Sequence, residues 1–408
     1  MKEGALARLQ ERGFFAQCTD VERLSKRMDG EPITFYVGID PTGSSLHVGH
    51  LVPLYAMAHL VEFGHQAIVI VGGGTARIGD PSGKTEIRKM LTVEQIDANA
   101  EAIGQQISRF LGDRGAFTMV NNAEWLSTLN YIDFLRDIGR HFSVNRMLSF
   151  ETYKMRMETG LSFIEFNYQL LQSYDFLKLF QTRGCQLQIG GDDQWGNIVA
   201  GADLIRRVEG SEVESFGLTF PLVTRADGKK MGKTEQGAVF LDPGLVSPYD
   251  FFQYWRNVAD ADVRKFLLMY TFLSLDEIEA VEAQGINVAK ERLAFEVTAL
   301  IHGADEAQRA REAALALFAG GGDAAAVPGA ELAGAEVDAG VPVVELFYRA
   351  GLCSSKGEAR RLIQQGGARI NNVVITDHEV IVGRDFADGD GALLLRSGKK
   401  RYFRFQIS

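Results

Sequence analysis

An apolar, β-branched run, Ile33–Ile39, and a continuous apolar run, Ala67–Val71, flank a segment that starts at the turn Asp40-Pro41-Thr42-Gly43 and ends at Gly64. Continuous β-branched runs of this length read as strands covered on both faces, and the stretch between them reads as a helix capped by Ser44 or Ser45. A strand, helix, strand unit of this kind closes with a right-handed crossover and parallel strands. The same pattern returns at Leu187–Ile189, which runs into Gly190-Gly191-Asp192-Asp193-Gln194 and a helix through Ile205. The chain is therefore read as α/β, built on a doubly wound parallel sheet. Such sheets bind ligands beyond the carboxyl ends of their strands, which directs attention to Asp40–His50 and Gly190–Gln194.

A length of 408 residues exceeds what one hydrophobic core serves. The chain divides into a sheet domain over 1–222, with a mostly helical insertion at about 85–160, and a helical region over 223–318 entered through Ser247-Pro248. A Gly- and Ala-rich stretch without periodicity, 319–342, reads as a linker to a small module at 343–408. No apolar run approaches the roughly 20 residues of a membrane span, and Met1–Arg12, amphipathic and mixed in charge, does not read as a signal peptide. The three cysteines, Cys18, Cys185 and Cys353, form no CxxC pattern, so a reducing cytoplasm is expected. A net charge of -10 argues against nucleic-acid binding over the whole surface, yet residues 341–408 hold 11 Lys/Arg against 7 Asp/Glu.

His47 and His50 lie just beyond the first strand, where each imidazole can donate to a phosphate oxygen or serve only to cap and pack the helix. Starting the regular helix near His50 puts Pro53 in its first turns and leaves the amides of Gly49–Leu51 open to an anion. Gly72-Gly73-Gly74 through Gly83-Lys84-Thr85 looks like a phosphate loop but has Ile78 where the first glycine belongs. A strand-end turn is the other reading of those glycines, and Lys84 and Arg88 are either surface charges or phosphate ligands. Tyr168, Gln172 and Asp175 share one helical stripe, either the solvated face or, as phenol, amide and carboxylate together, a seat for a small zwitterion. Lys229–Thr234 follows the turn Asp227-Gly228 and reads as an exposed loop.

The pair His47-Val-Gly-His50 and Lys230-Met-Gly-Lys233-Thr234, in this order, resembles the His-x-Gly-His and Lys-Met-Ser-Lys-Ser signatures of class I aminoacyl-tRNA synthetases. Tyr36-Val-Gly-Ile-Asp40-Pro-Thr42, Gly79-Asp80-Pro-Ser-Gly83-Lys84 and Gly190-Gly-Asp-Asp193-Gln194-Trp195 narrow the resemblance to the bacterial-type tyrosyl-tRNA synthetases, over nearly the whole length. Gly232 and Thr234 depart from the class-wide loop. The resemblance implies a Rossmann-like catalytic domain, a helical anticodon-region domain, and formation of tyrosyl-adenylate from L-tyrosine and ATP before transfer to tRNA(Tyr).

By the same resemblance, Tyr36 and Asp175 read the substrate phenol, and Asp80, Tyr168 and Gln172 hold its ammonium group. Gln194 lies near the reacting carboxylate and Asp193 holds the ribose. Asp40, Thr42, His47, Gly49 and His50 line the phosphate path, with Lys84, Arg88, Lys230, Lys233 and Thr234 on the outgoing pyrophosphate. Mg²⁺ would arrive on the nucleotide, because no carboxylate cluster suggests a protein-built metal site. A homodimer through the insertion is expected. Residues Ser354–Gly367 read as a capped basic helix stopped by glycine, followed by a strand and the turn Asn371-Asn372, and resemble a small ribosomal RNA-binding fold. There Lys356, Arg360, Arg361, Arg369, Lys399, Lys400 and Arg401 would contact tRNA phosphates. A tryptophan-specific relative fits less well, since indole offers only one donor; an idle RNA-binding paralogue would have no need of His47, His50, Lys230 and Lys233.

Overall fold

The computed structural model describes residues 4–408 apart from 81–90, 116, 227, 229–230, 235–236, 320–326 and 399–400. Its contacts divide the chain into two compact units, Met1–Leu245 with Val258–Leu293, and Val246–Asn257 with Ala294–Ser408.

The first unit is built on β1 (Gln17–Cys18), β2 (Thr34–Ile39), β3 (Gln66–Val71), β4 (Phe117–Asn121), β5 (Cys185–Gly191) and β6 (Phe216–Phe220), in the order β1-β6-β5-β2-β3-β4. All neighbours are parallel except β1 against β6. From β2 the chain winds outward to β3 and β4, and from β5 it winds the other way to β6, so the order reverses between β2 and β5, where a doubly wound sheet opens its ligand crevice. β3 and β6 are buried almost throughout, as continuous apolar runs require.

The helix Leu51–Glu62 behind this crevice is apolar on all sides and buried along most of its length. Pro53 sits in its first turn as expected, but its cap differs from the sequence reading. The side chain of His47, not Ser44 or Ser45, accepts the capping bond, through a short 3₁₀ turn at Val48–His50. Ser45 instead bonds to Leu46 and Gln106. A second difference is β4, which joins the sheet from within the stretch read as helical insertion. With only one of its five residues buried, it lacks the apolar run that marks β2 and β3. The helix Val93–Leu111 is then the crossover between β3 and β4.

A short hairpin follows, β7 (Lys233–Thr234) with β8 (Gly237–Ala238). In the second unit, Ser247 caps the helix Pro248–Arg256 with proline in its first turn. The C-terminal sheet uses β9 (Gly329–Leu332), β11 (Ala368–Ile370), β12 (Val373–Ile375), β14 (Ala392–Ser397) and β15 (Arg401–Ile407), while β10 (Val341–Pro342) pairs with β13 (Ile381–Val382). Residues 329–342, read as linker, are therefore part of the module: β9 pairs with β15, and Leu332 and Val337 lie in its core. Asn371 and Asn372 take the left-handed conformation of a tight hairpin turn.

Arg12 is a buried cation in the first unit, 3% exposed, and donates to the carbonyls of Leu268, Thr271 and Leu273 at 3.4, 3.4 and 2.6 Å. These carbonyls lie at and beyond the end of the helix Val263–Tyr270, where backbone acceptors lack intrahelical donors. Replacing Arg12 with Met leaves them unsatisfied and should cost about 2–4 kcal/mol. A urea denaturation midpoint equal to that of the unmodified chain would contradict this.

Candidate active site

Alternation along β2 puts Tyr36, Gly38 and Asp40 on one face. A Cβ on Gly38 would meet no atom within 4 Å, so there is open space between the other two side chains. Beyond β3, a Cβ on Gly72 would lie 2.0 Å from Asp40 Oδ1, and one on Gly73 would lie 2.3 Å from Asn121 Oδ1. Gly72–Gly74 is thus a close-packed turn, not a phosphate cradle. It lets Thr75 Oγ1 donate to Asp40 Oδ1 at 2.8 Å.

The opposite wall is the helix Phe163–Arg183, started by a Ser162/Glu165 capping box and ended at Gly184 with φ +62. Arg156 reinforces the start, reaching Glu165 Oε1 at 2.8 Å. The stripe of Tyr168, Gln172 and Asp175 faces inward, not to solvent: Tyr168 and Asp175 are 6% and 3% exposed. Tyr168 Oη donates to Asp40 Oδ2 at 3.1 Å. Asp175 accepts from Asn122 Nδ2 at 2.8 Å and from Trp125 Nε1 at 2.7 Å, and Asn122 also donates to Thr75 Oγ1. Asn122 and Trp125 escaped the sequence reading. Their signal was a polar pair directly after a strand end at the carboxyl edge of the sheet, hidden because β4 itself was not recognised.

Burial raises the Asp175 carboxyl to about 7, against the lowering effect of its Asn122 and Trp125 bonds. Burial also pushes the Tyr36 phenol well above its ordinary range, and the Asp175 charge adds to the shift. Tyr36 packs on Phe176 with ring centroids 5.3 Å apart. Its hydroxyl is buried and, like Gln172 Oε1, has no partner among the described residues. Polar atoms left in that state cost about 1–3 kcal/mol each, and here two accompany a buried carboxylate, the pattern of a pocket formed for a polar ligand.

Beyond β5, Asp192 Oδ1 accepts from Gln17 Nε2 at 2.7 Å and Thr219 Oγ1 at 2.8 Å, fixing the turn that carries Asp193 and Gln194. Gln194 Nε2 donates to Asp80 Oδ2 at 2.9 Å, while Asn197 Nδ2 holds Gln194 Oε1 at 3.1 Å. The structure therefore gathers Tyr36, Asp40, Asp80, Tyr168, Gln172, Asp175 and Gln194 at the β2/β5 crevice.

At the first signature, His47 Nδ1 accepts from the Gly49 amide at 3.0 Å, His50 Nδ1 accepts from the His47 amide at 3.1 Å, and the rings lie 4.0 Å apart. A neutral imidazole that accepts at Nδ1 carries its proton on Nε2, which makes each ring a donor. The amides of Gly49, His50 and Leu51 are not open to an anion as the sequence suggested, because each is bonded within the turn. Thr42 is exposed, and its amide donates to Asp40 O at 2.8 Å. Lys84, Arg88 and Lys230 lie outside the described residues; Lys233 and Thr234 form β7 by their backbone.

In the C-terminal module, Arg360 and Arg361 are exposed and Arg369 is half-buried. Lys356 pairs with Glu345 at 2.6 Å, and Arg401 donates to Leu352 O and Gly351 O at 2.8 and 2.7 Å. Lys399 and Lys400 lie outside the described residues.

Residues 28–319 match the family described as tRNA synthetases class I (W and Y), and residues 324–405 match the tyrosine–tRNA ligase SYY-like C-terminal domain. The tyrosine–tRNA ligase of Treponema denticola is 62% identical over 99% of both chains, and that of Acetivibrio thermocellus is 52% identical over 98% of both. Among solved structures, a C-terminally truncated mitochondrial tyrosyl-tRNA synthetase of Aspergillus nidulans aligns with TM-score 0.69 at 29% identity, covering 78% of this chain and 95% of that one. An Archaeoglobus fulgidus tyrosyl-tRNA synthetase solved with L-tyrosine shares the fold at TM-score 0.56 and 18% identity, over 74% of this chain and 99% of its own.

The raised Asp175 pKa has a thermodynamic consequence. Because the folded chain binds this proton more tightly than the unfolded chain, stability falls as pH rises from the ordinary carboxylate range to about 7. Above that, the whole penalty of about 4 kcal/mol persists. Asp175→Asn should therefore gain stability relative to the unmodified chain between pH 4 and pH 8. A difference in denaturation midpoint that stays constant over that interval would show that the carboxyl is not raised.

Proposed function

The chain belongs to the tyrosine–tRNA ligases of the class I aminoacyl-tRNA synthetases, and we propose that its β2/β5 crevice activates L-tyrosine with ATP before the tyrosine passes to the 3′ end of tRNA(Tyr). The observation that carries the assignment of roles is the buried Tyr36 hydroxyl, without a partner among the described residues and near enough to Asp175 for the carboxylate charge to raise its pKa. A phenol placed there accepts from Tyr36 and donates to Asp175, satisfying both. Phenylalanine leaves the Tyr36 hydroxyl without that bond and gives the Asp175 carboxylate no further donor, which accounts for the rejection known for tyrosyl enzymes, on the order of 10⁴–10⁵. Asn122 and Trp125 hold Asp175 in place for that bond. Asp80, Tyr168 and Gln172 take the ammonium group, Gln194 lies by the carboxylate, and Asp193 takes the ribose.

The activation step is an in-line attack of the tyrosine carboxylate on the α-phosphorus, with pyrophosphate leaving. A carboxylate is already ionised near neutral pH, so no general base is needed, and rate comes from positioning and charge neutralisation. Nε2–H of His47 and His50 donates to phosphate oxygens from the sheet side, with Asp40 and Thr42 along the same path and Gly49 allowing close approach. Lys84, Arg88, Lys230, Lys233 and Thr234 neutralise the outgoing pyrophosphate. Mg²⁺ enters on the ATP.

On the C-terminal module, Arg360, Arg361, Arg369, Lys399 and Lys400 contact tRNA phosphates, a salt-sensitive interaction. Lys356 and Arg401 contribute less, because each is engaged within the module. Tyr131, Ile132, Met155 and Met157 in the insertion, and Phe163 and Ile164 just after it, are each more than half exposed, which supports pairing with a second copy through the insertion. No helix among the described residues is long and apolar enough to cross a membrane, and the protein is assigned to the cytoplasm, with the tRNA.

Tyr36→Phe should lower the tyrosine-over-phenylalanine ratio in ATP–pyrophosphate exchange by about 10-fold or more; an unchanged ratio would remove Tyr36 from the phenol contact. Deleting residues 324–408 should abolish tRNA charging while sparing pyrophosphate exchange. Equal loss of both would mean that the module supports the catalytic fold instead of holding RNA.

A further inference from the structure

The segment after β8 is bonded to the His47–His50 turn along its backbone. Val48 N donates to Val239 O at 2.9 Å, Leu241 N to Leu46 O at 2.8 Å, and Asp242 N to Ser45 Oγ at 3.2 Å, with His47 and Phe240 bridged between them. Val239 N in turn donates to Gly232 O at 2.9 Å, which brings Met231 and Gly232 onto the same turn.

Gly232 has φ +83, and a Cβ built on it would lie 2.9 Å from the Gly49 amide nitrogen and 3.5 Å from His47 Nδ1. The Gly49 amide is the donor that caps His47. From the other side, a Cβ on Gly49 would lie 2.8 Å from His47 Cε1 and 3.6 Å from Met231 O. Two glycines therefore meet where the two signature segments touch. The obstacle facing Gly232 is backbone, which cannot swing aside as a side-chain tip would.

We propose that Gly232 is a positioning residue, whose lack of a side chain seats the 231–234 segment directly on the Gly49 amide and keeps the His47 cap intact. The proposal deepens the reading of this crevice as the ATP site. Any side chain here, including the serine of the class-wide signature, either lifts the segment off the turn or breaks the Gly49-to-His47 bond. Both displace groups that meet the triphosphate, and neither reaches the tyrosine pocket lined by Tyr36 and Asp175.

The test compares Gly232→Ser and Gly232→Ala with Gly228→Ala in the full chain. Gly228 shares the left-handed conformation, at φ +77, but a Cβ there meets nothing within 4 Å, so it reports backbone strain alone. In tyrosine-dependent ATP–pyrophosphate exchange, both Gly232 variants should lose kcat by on the order of 10- to 100-fold, with unchanged tyrosine Kd and a melting temperature close to that of Gly228→Ala. Gly228→Ala should stay within about threefold of the unmodified chain in kcat, since its left-handed strain is local and the added Cβ meets no neighbouring atom. Trypsin should cleave after Lys229, Lys230 and Lys233 faster in Gly232→Ser than in Gly228→Ala. Equal behaviour of the Gly232 and Gly228 variants would overturn the proposal, as would a parallel fall of kcat, tyrosine affinity and melting temperature. Absence of tyrosine exchange in the unmodified chain would instead refute the parent reading, and the trypsin comparison would still judge the Gly232 contact.

Discussion

The arrangement of the crevice depends on one buried carboxylate. Asp175 is withdrawn from solvent and held by two neutral donors, Asn122 and Trp125, which orient it without supplying the positive charge that would make its ionisation easy. Three elements must converge for that to happen: the helix Phe163–Arg183 brings the carboxylate, the turn after β4 brings both donors, and β2 brings Tyr36 beneath them. The Thr75 hydroxyl then links Asn122 to Asp40, and Asp40 bonds to Tyr168, so Asp175 and Tyr168 belong to one chain of hydrogen bonds across the crevice. Under the proposed function, the stability lost to this buried carboxylate is exchanged for recognition of the substrate.

Much of this was legible in the sequence, and the failures have physical causes. β2, β3 and the crossover helix were visible because strands buried on both faces must be continuously apolar. β4 was not, because at the sheet edge only Val120 of its five residues is buried. Losing β4 also hid Asn122 and Trp125, whose meaning comes from standing at a strand end. The stripe of Tyr168, Gln172 and Asp175 showed its spacing but not its direction, since polar residues at helical period normally face water. Here polar partners from other elements, Asp40, Asn122 and Trp125, reverse that preference. The Gly- and Ala-rich stretch before the last module hid β9, whose sequence Gly-Ala-Glu-Leu has little strand character and depends on pairing with β15.

Among the described residues, the first signature is joined by backbone bonds to the segment that follows the second, and that segment to Gly232. Residues 45–48 and 239–242 bond to each other, and the imidazoles of His47 and His50 are oriented by amides of their own turn. That orientation fixes the tautomer with the proton on Nε2, so the bond that closes the Gly49 amide to an anion also gives the His47 ring its donor character. The sequence could show the residue types but not this exchange of roles, because it rests on a 3₁₀ turn that ends where the regular helix begins.

The account is tested most directly by the pH dependence of L-tyrosine binding to the unmodified chain, measured by titration calorimetry between pH 5.5 and 8.5. If the phenol donates to an ionised Asp175, the affinity is constant above about 7 and weakens by up to roughly tenfold per unit below it, with a proton released on binding. A dissociation constant independent of pH across that range, with no proton released, would contradict the claim that a carboxyl raised to about 7 by burial reads the hydroxyl.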